Sequence, residues 1–123
     1  MPFTNDGPYA SFYDNGFVPV QFVTSSSPTE WNDNIRCDKK SIFLMEVYQV
    51  SPTGTTPYYK QQAVEVNSSG TGTVSVIGGN GTYNSHTNST TSDKTILGFT
   101  CSNPTFPTYM KITPIVGEVE ILG

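Results

Sequence analysis

The sequence predicts an all-β chain: one antiparallel β-sandwich, jelly-roll-like, with seven to eight strands and at most one short helix. Three observations carry that expectation. Val, Ile and Thr together occur 35 times among the 123 residues, whereas Ala occurs twice and Leu three times. β-branched side chains lose rotamer freedom in helices and suit a pleated surface, and the strongest helix formers are nearly absent. Eleven Gly and nine Pro divide the chain into short runs, and turn signals recur at about 8–12-residue intervals, the spacing of a sandwich or barrel. A chain of this length builds one core. The expected organisation is an extended N-terminal arm over 1–16 and a single sandwich domain over 17–123.

Residues 1–16 show no period and contain two turn signals, Asn5-Asp6-Gly7-Pro8 and Asp14-Asn15-Gly16. They lack the charged and apolar regions of a secretory leader, yet carry Phe3, Tyr9, Phe12 and Tyr13, which suits a segment that packs on something. The first strand is expected over 17–24, with Val18, Val20 and Phe22 on one face and Pro19 restricting it to a sheet edge. Ser27-Pro28-Thr29-Glu30 fits a capping box with Pro at the first helical position, so a helix of one or two turns is expected over 28–34. Residues 41–50, SIFLMEVYQV, are apolar on both faces and predict a central strand covered on each side. Residues 58–66 alternate, with Val64 and Val66 inward and Glu65 outward. A turn at 68–72 leads into 73–77, and Gly78-Gly79-Asn80-Gly81 turns the chain again, so two hairpins in series are expected. Residues 84–93, NSHTNSTTSD, read as an exposed polar loop. Leu97, Phe99 and Cys101 then share a face. The last strand runs over 109–122, broken near Pro114 and Gly117, with Val119 and Ile121 inward and Glu118 and Glu120 outward.

Composition narrows function more than any motif does. Six Lys and Arg against ten Asp and Glu give net charge −4, which removes the attraction most nucleic-acid binding depends on. No apolar run is long enough to form a membrane-crossing helix, so no membrane insertion is expected. One His and two Cys cannot close a zinc site without carboxylates. Cofactors are expected to be none; calcium held by Asp6, Asp14, Asp33 or Asp38 with Asn carbonyls is conceivable, though Trp31-Asn32-Asp33-Asn34 lacks the Gly and terminal Glu of an EF-hand.

Cys37 and Cys101 are the disulfide candidate, with buried free thiols or bonds between copies as alternatives. No catalytic set is expected. His86 lies in a polar stretch without a nucleophile elbow, and Glu46, interrupting an apolar run, reads as an ion-paired or strand-end carboxylate rather than half of a hydrolytic pair. Gly78-Gly79-Asn80-Gly81 is a turn and not a phosphate loop, because no Lys follows and strands flank it. Asn67, Asn80 and Asn88 head glycosylation sequons, in a composition where chance matches are common.

The expected function is therefore a non-enzymatic, self-assembling structural subunit of a filament or appendage, or of a virion or phage particle. Its partners would be copies of itself, reached through the aromatic arm (Phe3, Tyr9, Phe12, Tyr13) and edge strands, and its location a surface structure outside the cell or a virus particle. The alternative is a carbohydrate-binding module or lectin. There Trp31, Asn32 and Asp33, or Tyr13 and Asp14, would stack on and hydrogen-bond a glycan.

Overall fold

The computed structural model describes residues 15–24, 31–54 and 57–123. Ten strands and no helix occur among them: β1 (Val18–Pro19), β2 (Val23–Thr24), β3 (Ile35–Asp38), β4 (Ile42–Gln49), β5 (Tyr58–Val66), β6 (Gly72–Gly79), β7 (Asn84–Thr90), β8 (Lys94–Cys101), β9 (Thr108–Val116) and β10 (Val119–Ile121). Sheet I has the order β1-β9-β4-β5-β6. Sheet II has the order β10-β3-β8-β2, with β7 on the other edge of β8. Every pairing is antiparallel except β2 with β8. The expected β-sandwich is present. Two of its strands are two-residue pairings that sequence periodicity is too coarse to resolve, which raises the count above seven or eight.

Alternation builds the core. Phe43, Met45 and Val47 point inward from β4, Val64 and Val66 from β5, and Leu97, Phe99 and Cys101 from β8; all are buried. Phe22 fills the space between the sheets, with ring centroids 5.9 Å from both Tyr83 and Phe99. The 17–24 run proves to be two strands. β1 lies on sheet I at its edge, as Pro19 requires, and the chain then crosses through Phe22 to join sheet II as β2.

Four local expectations are corrected. Residues 31–34 are extended rather than helical, because Asn34 N–H bonds to the Leu97 carbonyl and extends the β3–β8 ladder; residues 28–30 of the expected helix lie outside the described ones. The polar stretch after residue 83 forms β7, paired with β8 from Asn84↔Thr100 to Thr90↔Thr95. It lacks an apolar period because the side chains it turns toward β6 and the turn before it are hydroxyls: Ser85 donates to Gly72 O and Thr87 to Gly70 O. The turn at Gly78-Gly79-Asn80-Gly81 joins β6 of one sheet to β7 of the other, so it is a crossover and not a second hairpin. Finally, β4 is central, between β9 and β5, but Ile42, Leu44, Glu46 and Tyr48 on its outer face stay half-exposed. One face is covered instead of two.

The disulfide is also overturned. Cys37 stands opposite Thr95 on β8, and Cys101 lies six positions further along that strand. At about 3.3 Å per residue the two α-carbons are about 20 Å apart, far beyond the roughly 7 Å a disulfide can span. Both are free, core-facing thiols. Their burial, at most 1 % exposed, also keeps them from bonding between copies.

Candidate functional site

Among the described residues the sandwich has two open flanks. At one, β9 and β1 of sheet I face β10 of sheet II across the corner at Gly117; at the other, β6 faces β7 across the 80–83 crossover. Strand order and the distribution of apolar side chains make these flanks the places where the fold is incomplete.

At the first flank, β1 pairs with β9 only at Tyr109 and Met110, so among the described residues the outer edge of β9 has no ladder partner from Ile112 to Val116. β10 pairs with β3 alone. Between these two edges runs a groove of about 520 Å³, lined by Val18, Ile112, Pro114, Val119, Ile121 and Leu122. Val18, Ile112, Val119 and Ile121 are half-buried, and the last three reach the core from one side and face the groove from the other. Ile115 and Val116, 58 % and 48 % exposed, continue the apolar surface along β9. The N-terminal segment enters here. Gly16, with φ +85, turns the chain just before β1 and sits against the Lys111 side chain, where the open stretch of β9 begins.

At the second flank, β6 carries no charged residue in GTVSVIGG, and Val76 and Ile77 are 62 % and 55 % exposed. A bulge at Ile77 shifts the register with β5, leaving a straight run over 72–76. Edge strands are commonly guarded by Lys, Pro or bulges; here the bulge is the one such device, and it guards one end.

Of the residues singled out from the sequence, Phe3, Tyr9, Phe12, Tyr13 and Asp14 lie outside the described residues. Trp31 stacks on His86 with centroids 4.4 Å apart and an 11° interplanar angle, so one ring face is already covered, and its indole N–H is buried without a partner. This segment crosses the outer face of β8 where Gly98 leaves room; a Cβ there would sit 2.5 Å from Asn32 O. Asn32 donates to Gln21 O, and Asp33 accepts from Asn88, whose amide also donates to the Trp31 and Asn32 carbonyls. The amides of Asn67 and Asn80 likewise hold turns, accepting from Ser69 and Thr71 N–H and from Tyr59 N–H. Glu46 lies on the outer face of sheet I, opposite Gln61 and Lys111, and accepts a 2.7 Å hydrogen bond from Tyr59. Burial and that carboxylate push the Tyr59 hydroxyl up to about 12.

A larger hollow, about 940 Å³, lies beside β10 and β8 and holds Arg36, Lys94, Glu118 and Glu120 in its wall. Arg36 pairs with Glu120, and Lys94 pairs with Asp38 and, at 3.5 Å, with Glu118. The Lys94 ammonium and the Glu118 N–H hold Asp38 below the usual carboxylate range, and Asp38 in turn raises Lys94. The charges answer one another, which is how a solvated face is arranged. No group of His, Cys, Asp and Glu that could hold a metal ion occurs among the described residues.

Sequence reasoning placed Val119 and Ile121 inward but missed that they line an open groove. The signal was present in KITPIV, where Ile112, Pro114, Ile115 and Val116 put apolar side chains on both faces of one strand. It also missed Asn34, fully buried, whose amide donates to Gln21 O and Gly123 O and whose oxygen accepts from Phe99 N–H. No family model, curated protein or solved structure matches the chain.

Proposed function

We propose that this chain is a non-enzymatic structural subunit that assembles with copies of itself, in a filament, appendage, or virion or phage particle, through its N-terminal arm and edge strands. The observation that carries the reading is that, among the described residues, sheet I ends in an open, apolar strand edge on both sides: β9 with Ile115 and Val116, and β6 with Val76 and Ile77. An unpaired edge offers a row of backbone donors and acceptors, and pairing with another chain is the direct way to satisfy both these and the apolar side chains beside them. Two adhesive edges at opposite ends let contacts repeat without closing, which is the geometry of a polymer. Light scattering after size exclusion, with electron microscopy, tests this on the full chain. Mass rising with concentration and extended particles are expected. A strict monomer at millimolar concentration would refute the proposal. Val76→Lys, on an edge residue that packs little, should leave the fold intact by circular dichroism while abolishing the extended particles.

A further inference from the structure

We infer that the β9–β10 groove takes residues 1–14 of a second copy, and that two copies exchange these arms reciprocally. The inference rests on the assembly reading above and names the occupant of one of its two edges. Three observations choose that occupant. The groove lies between two strand edges and is lined by Val18, Ile112, Val119, Ile121 and Leu122, so it suits an extended segment with large apolar side chains. The chain outside the described residues has that composition: Phe3, Tyr9, Phe12 and Tyr13 fall within fourteen residues, with Asp6 and Asp14 and no Lys or Arg. Lys111, whose side chain lies against Gly16 at the head of the open stretch of β9, puts a cation beside the point where this acidic segment begins.

The direction of the chain argues for exchange. β1 runs antiparallel to β9, with Val18 opposite Met110. Continued straight backwards, the same strand would place residues 12–16 along 112–116 of its own β9. The turn at Asn15–Gly16, with Gly16 in the left-handed region, takes the chain off that line. Among the described residues the edge is open, and the arm starts beside it. Because tether and acceptor share one flank, two copies related by a twofold axis present both to each other, and each arm fills the other's groove. Fully extended, fourteen residues reach about 46 Å, enough to cross to a neighbour. The β6 edges then lie at the far ends of the pair, free to extend the assembly.

Cross-linking in the full chain tests this, since both native thiols are buried. Leu122→Cys is combined in turn with Tyr9→Cys, Phe12→Cys and Tyr13→Cys, and each is oxidised at micromolar concentration. At least one pair should give a disulfide-linked dimer that is lost on reduction. An intrachain-linked monomer would mean that the arm fills its own groove, and no cross-link at any position that it lies elsewhere; either overturns the inference. As a second reading, Leu122→Glu should weaken the dimer at least tenfold, whereas Val76→Lys should leave the dimer and abolish larger species. The two proposals fail separately. Larger assemblies without the cross-link would refute arm exchange alone, and cross-linked dimers that never grow would refute polymerisation alone.

Discussion

Asn34→Ala tests the part of the fold on which the open flank is built. Asn34 sits where the edge of β8 passes from β3 to β2. At that gap this edge of β8 has no strand partner, and the Asn34 side chain takes the strand's place by accepting from Phe99 N–H at 2.9 Å. Its amide donates to Gln21 O at 2.7 Å and to Gly123 O at 2.9 Å. The three bonds are not equal. Gln21 O keeps Asn32 as a donor, and Gly123 O keeps Gln21 N–H, so losing Asn34 costs about 1 kcal/mol at each. Phe99 N–H is buried and left without an acceptor, which costs about 2 kcal/mol. The expected loss is about 4 kcal/mol, against a total of about 5–15 kcal/mol for a domain of this kind. Urea unfolding followed by circular dichroism measures it. Asn34→Asp is the control: the carboxylate still accepts from Phe99 N–H but stands against two carbonyl oxygens. Those carbonyls and burial raise its folded pKa above the unfolded value. Its relative stability is therefore fully present below the unfolded pKa and lost as pH rises through the folded one. A loss below about 1 kcal/mol for Asn34→Ala, or an Asn34→Asp variant as stable at pH 7 as at pH 4, would sink the argument.

Other outcomes follow from the same geometry. Gly79→Ala should cost more than about 3 kcal/mol by urea unfolding, because at φ +99 its Cβ would lie 2.0 Å from the Tyr59 carbonyl; Gly78→Ala, with open space around it, should cost less than about 1 kcal/mol. Cys37 and Cys101, raised by burial, should resist Ellman's reagent in the native chain and react together on unfolding, and gels run with and without reductant should be identical; one fast-reacting thiol would contradict this. Tyr59 should ionise near 12 in an ultraviolet titration, and Glu46→Gln should move that step back toward 10.0. Since its folded pKa is raised, the contribution of Tyr59 to stability is complete below 10.0 and fades as pH climbs toward 12, so Tyr59→Phe should unfold less steeply in alkali.

Much of the sandwich was legible because burial imposes a period of two. Val64 and Val66, Leu97 and Phe99, and the break at Gly117 stand where alternation and turn chemistry put them. The misreadings share one cause, which is that periodicity reports apolar burial and nothing else. β7 is a strand held by the ladder to β8 and by hydroxyls, so an apolar count finds a loop. The Ser27-Pro28-Thr29-Glu30 capping signal is local, and at residues 31–34 ladder bonding and the Trp31–His86 stack outweigh it. Pairing Cys37 with Cys101 needed a register that no single strand encodes. The groove was half-legible: its lining residues read as inward, but whether a strand covers them depends on β1 starting only at Val18 among the described residues.

The groove and the arm can also be weighed against each other. Seating Tyr9, Phe12 and Tyr13 at about 100 Å² each removes about 300 Å² of apolar surface from water, or about 7 kcal/mol at 25 cal/mol per Å². A handful of ladder hydrogen bonds adds about 1 kcal/mol each, or about 5 kcal/mol. Ordering the seven residues nearest the tether costs about 7–14 kcal/mol of backbone freedom. One arm in one groove is thus close to balance and binds weakly. Reciprocal exchange changes the outcome without any new contact, because once the first arm is seated the second binds at the high effective concentration its tether sets. A variant blocked in one partner's groove should therefore lose far more than half of the dimer's stability. Mixing the Leu122→Glu chain with the unaltered one should give heterodimers that fall apart nearly as readily as the doubly altered pair. A heterodimer of intermediate lifetime, with the two arms contributing additively, would show instead that each arm binds strongly alone.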